Sequence, residues 1–323
     1  MRHHATWAVV LAGGDGQRLR SLTRNTVGTT VPKQFCSLDG GPTLLELALA
    51  RAERLAPTER ILVSVTNRHR PWWRNDLAAV PPGNVVVQPR NRGTLAGLLL
   101  PLLEIAARDP LGRVVVIPSD HHVADEAALE TAIRGALADL EDDPEAVVLL
   151  GFEPEAFDPD YGWIVPEPGD ADGPRRVRRF AEKPDGAEAA ALLARGALLN
   201  SFILTARAWV LVDLCQSLAP VETWCLRVGR WDGAGDRSDR LAATYANLAD
   251  GDFSRDILAR CPNSLLVRSV PPCGWCDLGT PARVARWTGR TRTDGIGVEL
   301  RHRDRPILAA AVARQAAVSR PIA

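Results

Sequence analysis

The sequence predicts an α/β fold: a doubly wound, mixed and mostly parallel sheet with a small inserted β region. Two observations carry this. Short aliphatic runs alternate along the chain with stretches whose leucines recur at helical spacing. The runs are also apolar at nearly every position instead of every second one, as in a parallel sheet covered by helices on both faces.

The elements follow in order. Trp7 to Leu11 is a buried strand that ends at glycines. Thr43 to Leu55 carries leucines at helical spacing and stops before Pro57, so it is a helix. Ile61 to Val65, Val85 to Val87, Val114 to Ile117 and Val147 to Leu150 are further buried strands, with helices near 72–79, 94–108 and 125–140 between them. Pro101 bends the helix over 94–108, and Gly97 four residues earlier reduces the clash. No function is assigned to that bend. From Phe152 to Phe180 proline, glycine and acidic residues dominate. Short strands at Gly162 to Val165 and Val177 to Phe180 there read as an insertion over one edge of the sheet. Leu198 to Thr205 is another strand, followed by helices near 207–218, 239–249 and 254–260. Residues 1–288 form one domain and residues 289–323 a tail, with a short helix over Ile307 to Ala317.

Composition narrows the function. Apolar residues make up 46% of the 323 and charged residues 24%, as in a soluble globular protein. The 39 basic and 39 acidic residues cancel, which argues against a nucleic-acid partner. The longest apolar stretch, Leu95 to Ala107, contains Pro101 and Glu104 and is too short to span a bilayer. No secretory leader is read, and six irregularly spaced cysteines do not form a disulfide pattern, so a reducing cytoplasm is expected. Cys273 and Cys276 make a CxxC without the second ligand pair of a zinc site or the context of a redox motif.

All but two of the 39 cations are arginine. The exceptions, Lys33 and Lys183, each stand in a compact polar motif, and lysine is a point charge able to follow a moving phosphoryl group. The first strand runs into Leu11-Ala12-Gly13-Gly14-Asp15-Gly16-Gln17-Arg18-Leu19. Its glycines let backbone N–H groups converge on an anion, and Arg18 adds a charged fork. No Gly-Lys-Ser/Thr follows, so this is not a Walker A loop. Leu19 stands where a dinucleotide fingerprint needs its third glycine, which disfavours a nicotinamide-dependent oxidoreductase.

Several motifs then occur in a familiar order. They are Gly13-Gly14-x-Gly16-x-Arg18-Leu19, Pro32-Lys33-Gln34-Phe35, Gln88 to Thr94, Pro118-Ser119-Asp120-His121 and Tyr161-Gly162-Trp163-Ile164. Phe180-Ala181-Glu182-Lys183-Pro184, Asn200-Ser201-Phe202 and Trp275 to Thr280 complete the set. From about residue 7 to 287 the chain resembles the sugar-1-phosphate nucleotidyltransferases, most of all the mannose-1-phosphate guanylyltransferases. The resemblance implies the Rossmann-like fold of nucleotide-diphospho-sugar transferases, with 1–288 as the catalytic domain. It implies transfer of a nucleotidyl group from a nucleoside triphosphate, GTP first, to a sugar 1-phosphate, mannose 1-phosphate first, with release of pyrophosphate.

The resemblance also implies site roles. Leu11, Gly13, Gly14, Gly16 and Arg18 would bind the nucleotide, with Gln88, Gly93 and Thr94 facing its base. Arg18, Lys33 and Asp120 would be catalytic. Asp120 and Asp277 would hold Mg²⁺, and Gly162, Glu182, Lys183 and Asn200 would take the sugar phosphate. Each has a plainer alternative: Asp120 or Thr94 as a helix cap, Gly162 as a turn, Glu182 and Lys183 as a solvated pair. Gln17, Arg20-Ser21, Leu95-Ala96-Gly97, Leu199 and Pro281 depart from the family pattern, mostly around the base and sugar pockets. A non-catalytic nucleotide-sugar-binding protein of the same fold is the alternative reading. Too few residues follow the matched region for a second catalytic domain, and the tail leaves room for packing on its own domain or on a second copy in a homo-oligomer.

Overall fold

The computed structural model describes residues 4–25, 27–155, 158–170, 173–230, 237–290, 305–308 and 310–312. Its strands are β1 (Thr6–Leu11), β2 (Ile61–Thr66), β3 (Val85–Gln88), β4 (Arg113–Pro118), β5 (Val147–Phe152), β6 (Gly162–Pro166), β7 (Arg175–Glu182), β8 (Leu198–Arg207) and β9 (Leu265–Ser269). Its helices are α1 (Leu44–Glu53), α2 (Arg70–Asp76), α3 (Gly93–Arg108), α4 (Glu126–Asp142), α5 (Gly186–Ala194), α6 (Ala208–Leu218), α7 (Pro220–Gly229), α8 (Arg237–Asn247), α9 (Phe253–Asp256) and α10 (Pro281–Arg290).

The strands form a single mixed sheet in the order β3-β2-β1-β4-β8-β5-β9-β7-β6. The block β3-β2-β1-β4 is parallel throughout. β8 enters antiparallel between β4 and β5, and β5 pairs parallel with β9. The segment expected to lie over an edge instead continues the sheet: β7 pairs with β9, and β6 pairs with β7. β6 also bonds back to Leu198 and Leu199 at the start of β8, so this half of the sheet curls on itself.

Alternation along β1 sorts the two faces. Ala8 and Val10 pack with α1 and α4, whereas Trp7 and Val9 pack with α3 and α6. Both clusters are buried, which is why the strands read as continuous aliphatic runs. The start of α1 is set locally by a capping box: Thr43 Oγ1 accepts from Glu46 N, and Glu46 accepts from Thr43 N at 2.7 Å. Pro101 lies inside α3 as expected.

Some elements escaped the sequence reading. α5 is alanine-rich and capped by Asp185, a signal that was present. β9 is five residues with Arg268 near its end, and that arginine pairs with Asp139 of α4. α7 and α10 each open on a proline at the first helical position. The expected helix over 254–260 divides into α9 and a 3₁₀ turn at Leu258–Arg260. Most of the tail, including part of the helix expected over Ile307 to Ala317, lies outside the described residues. Its described part docks on the main body: Ser37 pairs with Ile307, and Leu308 is fully buried.

Candidate active site

The loop leaving β1 is shaped by its glycines and by one glutamine. Gly16 has φ +59°, and a Cβ there would stand 3.0 Å from the backbone nitrogen of Lys33. A side chain at 16 is thus disfavoured both by conformation and by the neighbouring segment. Gln34 Nε2 donates to Ala12 O at 2.9 Å and to Gly14 O at 2.8 Å, tying the Pro32-Lys33-Gln34-Phe35 turn beneath the loop.

Lys33 is 5% exposed. Its Nζ pairs with Asp120 Oδ2 at 2.9 Å and donates to the Asp277 carbonyl oxygen at 2.6 Å. One ammonium therefore joins two segments far apart in sequence. A second contact holds them in place: His122 and Cys276 exchange backbone hydrogen bonds at 2.8 and 2.9 Å, so Asp277 comes to lie beside Asp120 and His121. Arg18, Lys33, Asp120, Asp277, Gly16 and Gly279 line one cavity of about 260 Å³. Burial works to raise the pKa of Asp120, but the Lys33 ammonium, joined by His121 once acid protonates it, outweighs burial and holds this carboxyl below its usual range. Burial pushes His121 down to about 4, so its imidazole is neutral near pH 7 and is no competitor for a cation.

Asp277 is further held by residues the sequence reading did not select. Tyr161 donates its hydroxyl to Asp277 Oδ1 at 2.9 Å, and Arg283 Nη1 donates to Oδ2 at 2.7 Å. Arg283 is 2% exposed, also grips Asp158 and lies over the Tyr161 ring. Tyr161 opens the Tyr161-Gly162-Trp163-Ile164 motif, whereas nothing in the sequence marks Arg283 among so many arginines. Arg18 pairs with Asp160 at 3.1 Å on the half-open rim. The donor set suits a hard divalent cation. Mg²⁺ is held by one or two carboxylates, with substrate phosphates and waters completing its shell. Asp120 and Asp277, on the same cavity, are the two carboxylates that would hold it. Among the described residues no group of three or more His, Cys, Asp or Glu side chains forms a full protein cage.

A second cavity of about 290 Å³ adjoins the first and shares Asp120 and His121 with it. Leu11, Gly13, Gly14, Gln88, Gly93 and Thr94, all expected at the nucleotide, line it. Gln88 is 2% exposed and ends β3. Thr94 does not cap α3, whose N-cap position is Arg92 without a side-chain bond. Its hydroxyl accepts from Phe253 N at 2.8 Å and so fastens the start of α9.

The sugar-phosphate candidates gather elsewhere. A Cβ on Gly162 would lie 2.6 Å from Glu182 Oε2 and 3.3 Å from Asn200 Cβ, so these three residues meet. Lys183, with φ +44°, turns Nζ onto Glu182 Oε1 at 2.7 Å. Burial raises the Glu182 pKa against the opposing effect of Lys183. None of the four lines either cavity. They connect to the second one through Asn200, whose Oδ1 accepts from the backbone N–H of the cavity-lining Phe202 at 3.1 Å.

With this arrangement established, comparison with known proteins decides the family. The family model for nucleotidyl transferases matches residues 7–286. The chain belongs to the nucleotidyl transferase family. It is 30% identical over 281 residues to the xanthan biosynthesis protein XanB of Xanthomonas campestris pv. campestris, covering 84% of this chain and 57% of that one. It is 30% identical over 299 residues to mannose-1-phosphate guanylyltransferase 2 of Escherichia coli O157:H7, covering 84% and 58%. This nucleotidyl transferase thus spans little more than half the length of those curated relatives. Among solved structures, the Thermus thermophilus protein described as mannose-1-phosphate geranyltransferase superposes with TM-score 0.74 at 28% identity, covering 87% of this chain and 79% of that one. The inositol-1-phosphate CTP transferase of T. maritima, at 14% identity and TM-score 0.54 over 92% and 100%, shares the fold. Among the described residues of this family member, no helix is long and apolar enough to cross a membrane.

Proposed function

We propose that this chain transfers a nucleotidyl group from GTP to mannose 1-phosphate in an Mg²⁺-dependent reaction in the cytoplasm, giving GDP-mannose and pyrophosphate. An oxygen of the sugar phosphate attacks the α-phosphorus, the α–β anhydride bond breaks, and pyrophosphate departs with the electron pair. The observation that carries this reading is the convergence of Asp120, Asp277, Lys33 and Arg18 on one cavity beside the glycine loop. Two anions must approach each other there, so the chain's task is to orient them and offset their charge. Lys33 stands ready between the two aspartates, and Arg18 needs only to leave an exposed ion pair with Asp160, worth about 1 kcal/mol or less. Mg²⁺, when bound, supplies electrostatic stabilisation of the phosphoryl oxygens. The choice of GTP and mannose 1-phosphate is supported by the names of the relatives, and by a buried amide in the base cavity.

A substrate panel tests the reading. Purified protein with Mg²⁺, one nucleoside triphosphate and one sugar 1-phosphate per reaction is assayed for pyrophosphate. We expect release with GTP and mannose 1-phosphate, lost on chelation with EDTA. Silence across every combination rejects transfer, and release with another pair corrects the base or the sugar.

A further inference from the structure

Pro101 is a proline in the middle of a sixteen-residue helix, and the proposed chemistry makes no use of it. A proline has no N–H, so the carbonyl of Gly97, one turn earlier, lacks its helical donor. The Ser64 hydroxyl fills that vacancy, donating to Gly97 O at 2.7 Å. A serine hydroxyl carries a single hydrogen. With that hydrogen on Gly97, Ser64 can only accept from its next neighbour, Gln88. The Gln88 amide therefore turns Nε2 to Ser64 Oγ at 3.1 Å and Oε1 to the Tyr245 hydroxyl at 3.5 Å. Ser64, Gln88 and Tyr245 are all buried, so the hydrogen-bond directions pass from one group to the next with little competition from water.

The orientation matters because of what faces the cavity. Nε2 would be 2.8 Å from a Cβ on Gly13, and Gly13, Ser64, Gln88 and Gly97 all line the cavity. One Nε2 hydrogen goes to Ser64, which leaves the second for a ligand. We propose that Pro101 and Ser64 are positioning residues that lock the Gln88 amide with an N–H toward the cavity. The cavity then takes a nucleobase presenting a ring oxo group, as guanine and hypoxanthine do, and rejects one presenting an amino group, as adenine does. This inference rests on the reading of the cavity as the base pocket. A donor facing a donor leaves two buried polar groups unpaired, which is where discrimination arises. An amide rotated by half a turn has nearly the same shape, so only the bonding partners choose between its two orientations.

The two residues can be tested without turnover. Calorimetric titration with GDP, IDP and ADP is run on the wild type, Pro101→Ala and Ser64→Ala. The wild type should bind GDP and IDP at least about tenfold more tightly than ADP. Pro101→Ala restores an N–H for Gly97 O and releases the Ser64 hydroxyl to donate to Gln88, so the GDP-to-ADP ratio should fall by about tenfold. Its thermal midpoint should stay at or above that of the wild type, because the helix regains a bond. Ser64→Ala should lower the ratio by a similar factor. A ratio unchanged in Pro101→Ala overturns the proposal, as does wild type that binds none of the three nucleotides, shows no preference, or groups IDP with ADP. Failure of the transferase reading looks different: the expected binding ratios with no pyrophosphate from any substrate pair.

Discussion

Lys33 does three things with one side chain, and a single residue rarely has so few degrees of freedom left. Its ammonium neutralises Asp120, accepts the geometry imposed by the Asp277 carbonyl, and lines the cavity where phosphate charge would gather. An arginine fork would not fit between those two oxygens with the same compactness. Lys33→Met should therefore lower kcat by about a hundred- to thousandfold, equivalent to about 3–4 kcal/mol of transition-state stabilisation. Initial rates across nucleotide concentrations would separate kcat from KM. A kcat within tenfold of wild type would reduce Lys33 to a structural cation. Arg283 is the counterpart on the second aspartate, and together the two buried cations leave neither carboxylate uncompensated.

At the scale of elements, the N-terminus of α3 acts as a clamp on the last turn of α8 and the chain that follows it. Leu95 N donates to Gly251 O at 3.1 Å, Gly251 N donates to Arg92 O at 3.1 Å, and Arg92 Nε reaches Tyr245 O at 2.9 Å. These bonds satisfy helix-end groups that would otherwise be orphaned. They also hold Tyr245 where its hydroxyl meets Gln88. Gly93 makes the close approach feasible: its φ is +81°, and a Cβ would fall 2.1 Å from Gly251 O. Gly93→Ala should cost at least about 2 kcal/mol from backbone strain alone, before the displacement of residue 251 is counted. Urea unfolding would measure it, and an unchanged midpoint would contradict the clamp.

For the molecule as a whole, the described part of the tail belongs to the catalytic body. Arg305 Nη1 donates to Phe35 O at 3.0 Å, and Nη2 pairs with Asp76 at 2.9 Å. Phe35 closes the turn that carries Lys33, so this docking supports the segment under the glycine loop. Arg305→Ala removes a guanidinium from a buried carboxylate and should lower stability by about 3 kcal/mol. Limited trypsin digestion should then trim the C-terminal region faster than in wild type. Equal cleavage rates and equal unfolding midpoints would show that the docking contributes little.

The order of strands and helices through residue 150 was legible because each follows from a local pattern of burial and capping, and local patterns are written in consecutive residues. The glycine loop, Lys33, Gln88 and Asp120 were legible for the same reason, each sitting in a short motif at or near the end of a strand or turn. The plainer alternative for Thr94, a helix cap, falls away because its hydroxyl is taken by Phe253, a partner far along the chain. β9 was missed because it is only five residues long and takes its place from its neighbours β5 and β7, whereas α7 and α10 carried a local signal that went unread, a proline at the first helical position. What only the tertiary structure decided was partnership. The pairing of His122 with Cys276 brings Asp277 to Asp120, Arg283 secures it, and a strand serine that donates to Gly97 in the proline-bearing helix is left to accept from a glutamine. Such contacts depend on distances across the fold and on which hydrogen each donor has left, and neither is a property of neighbouring letters.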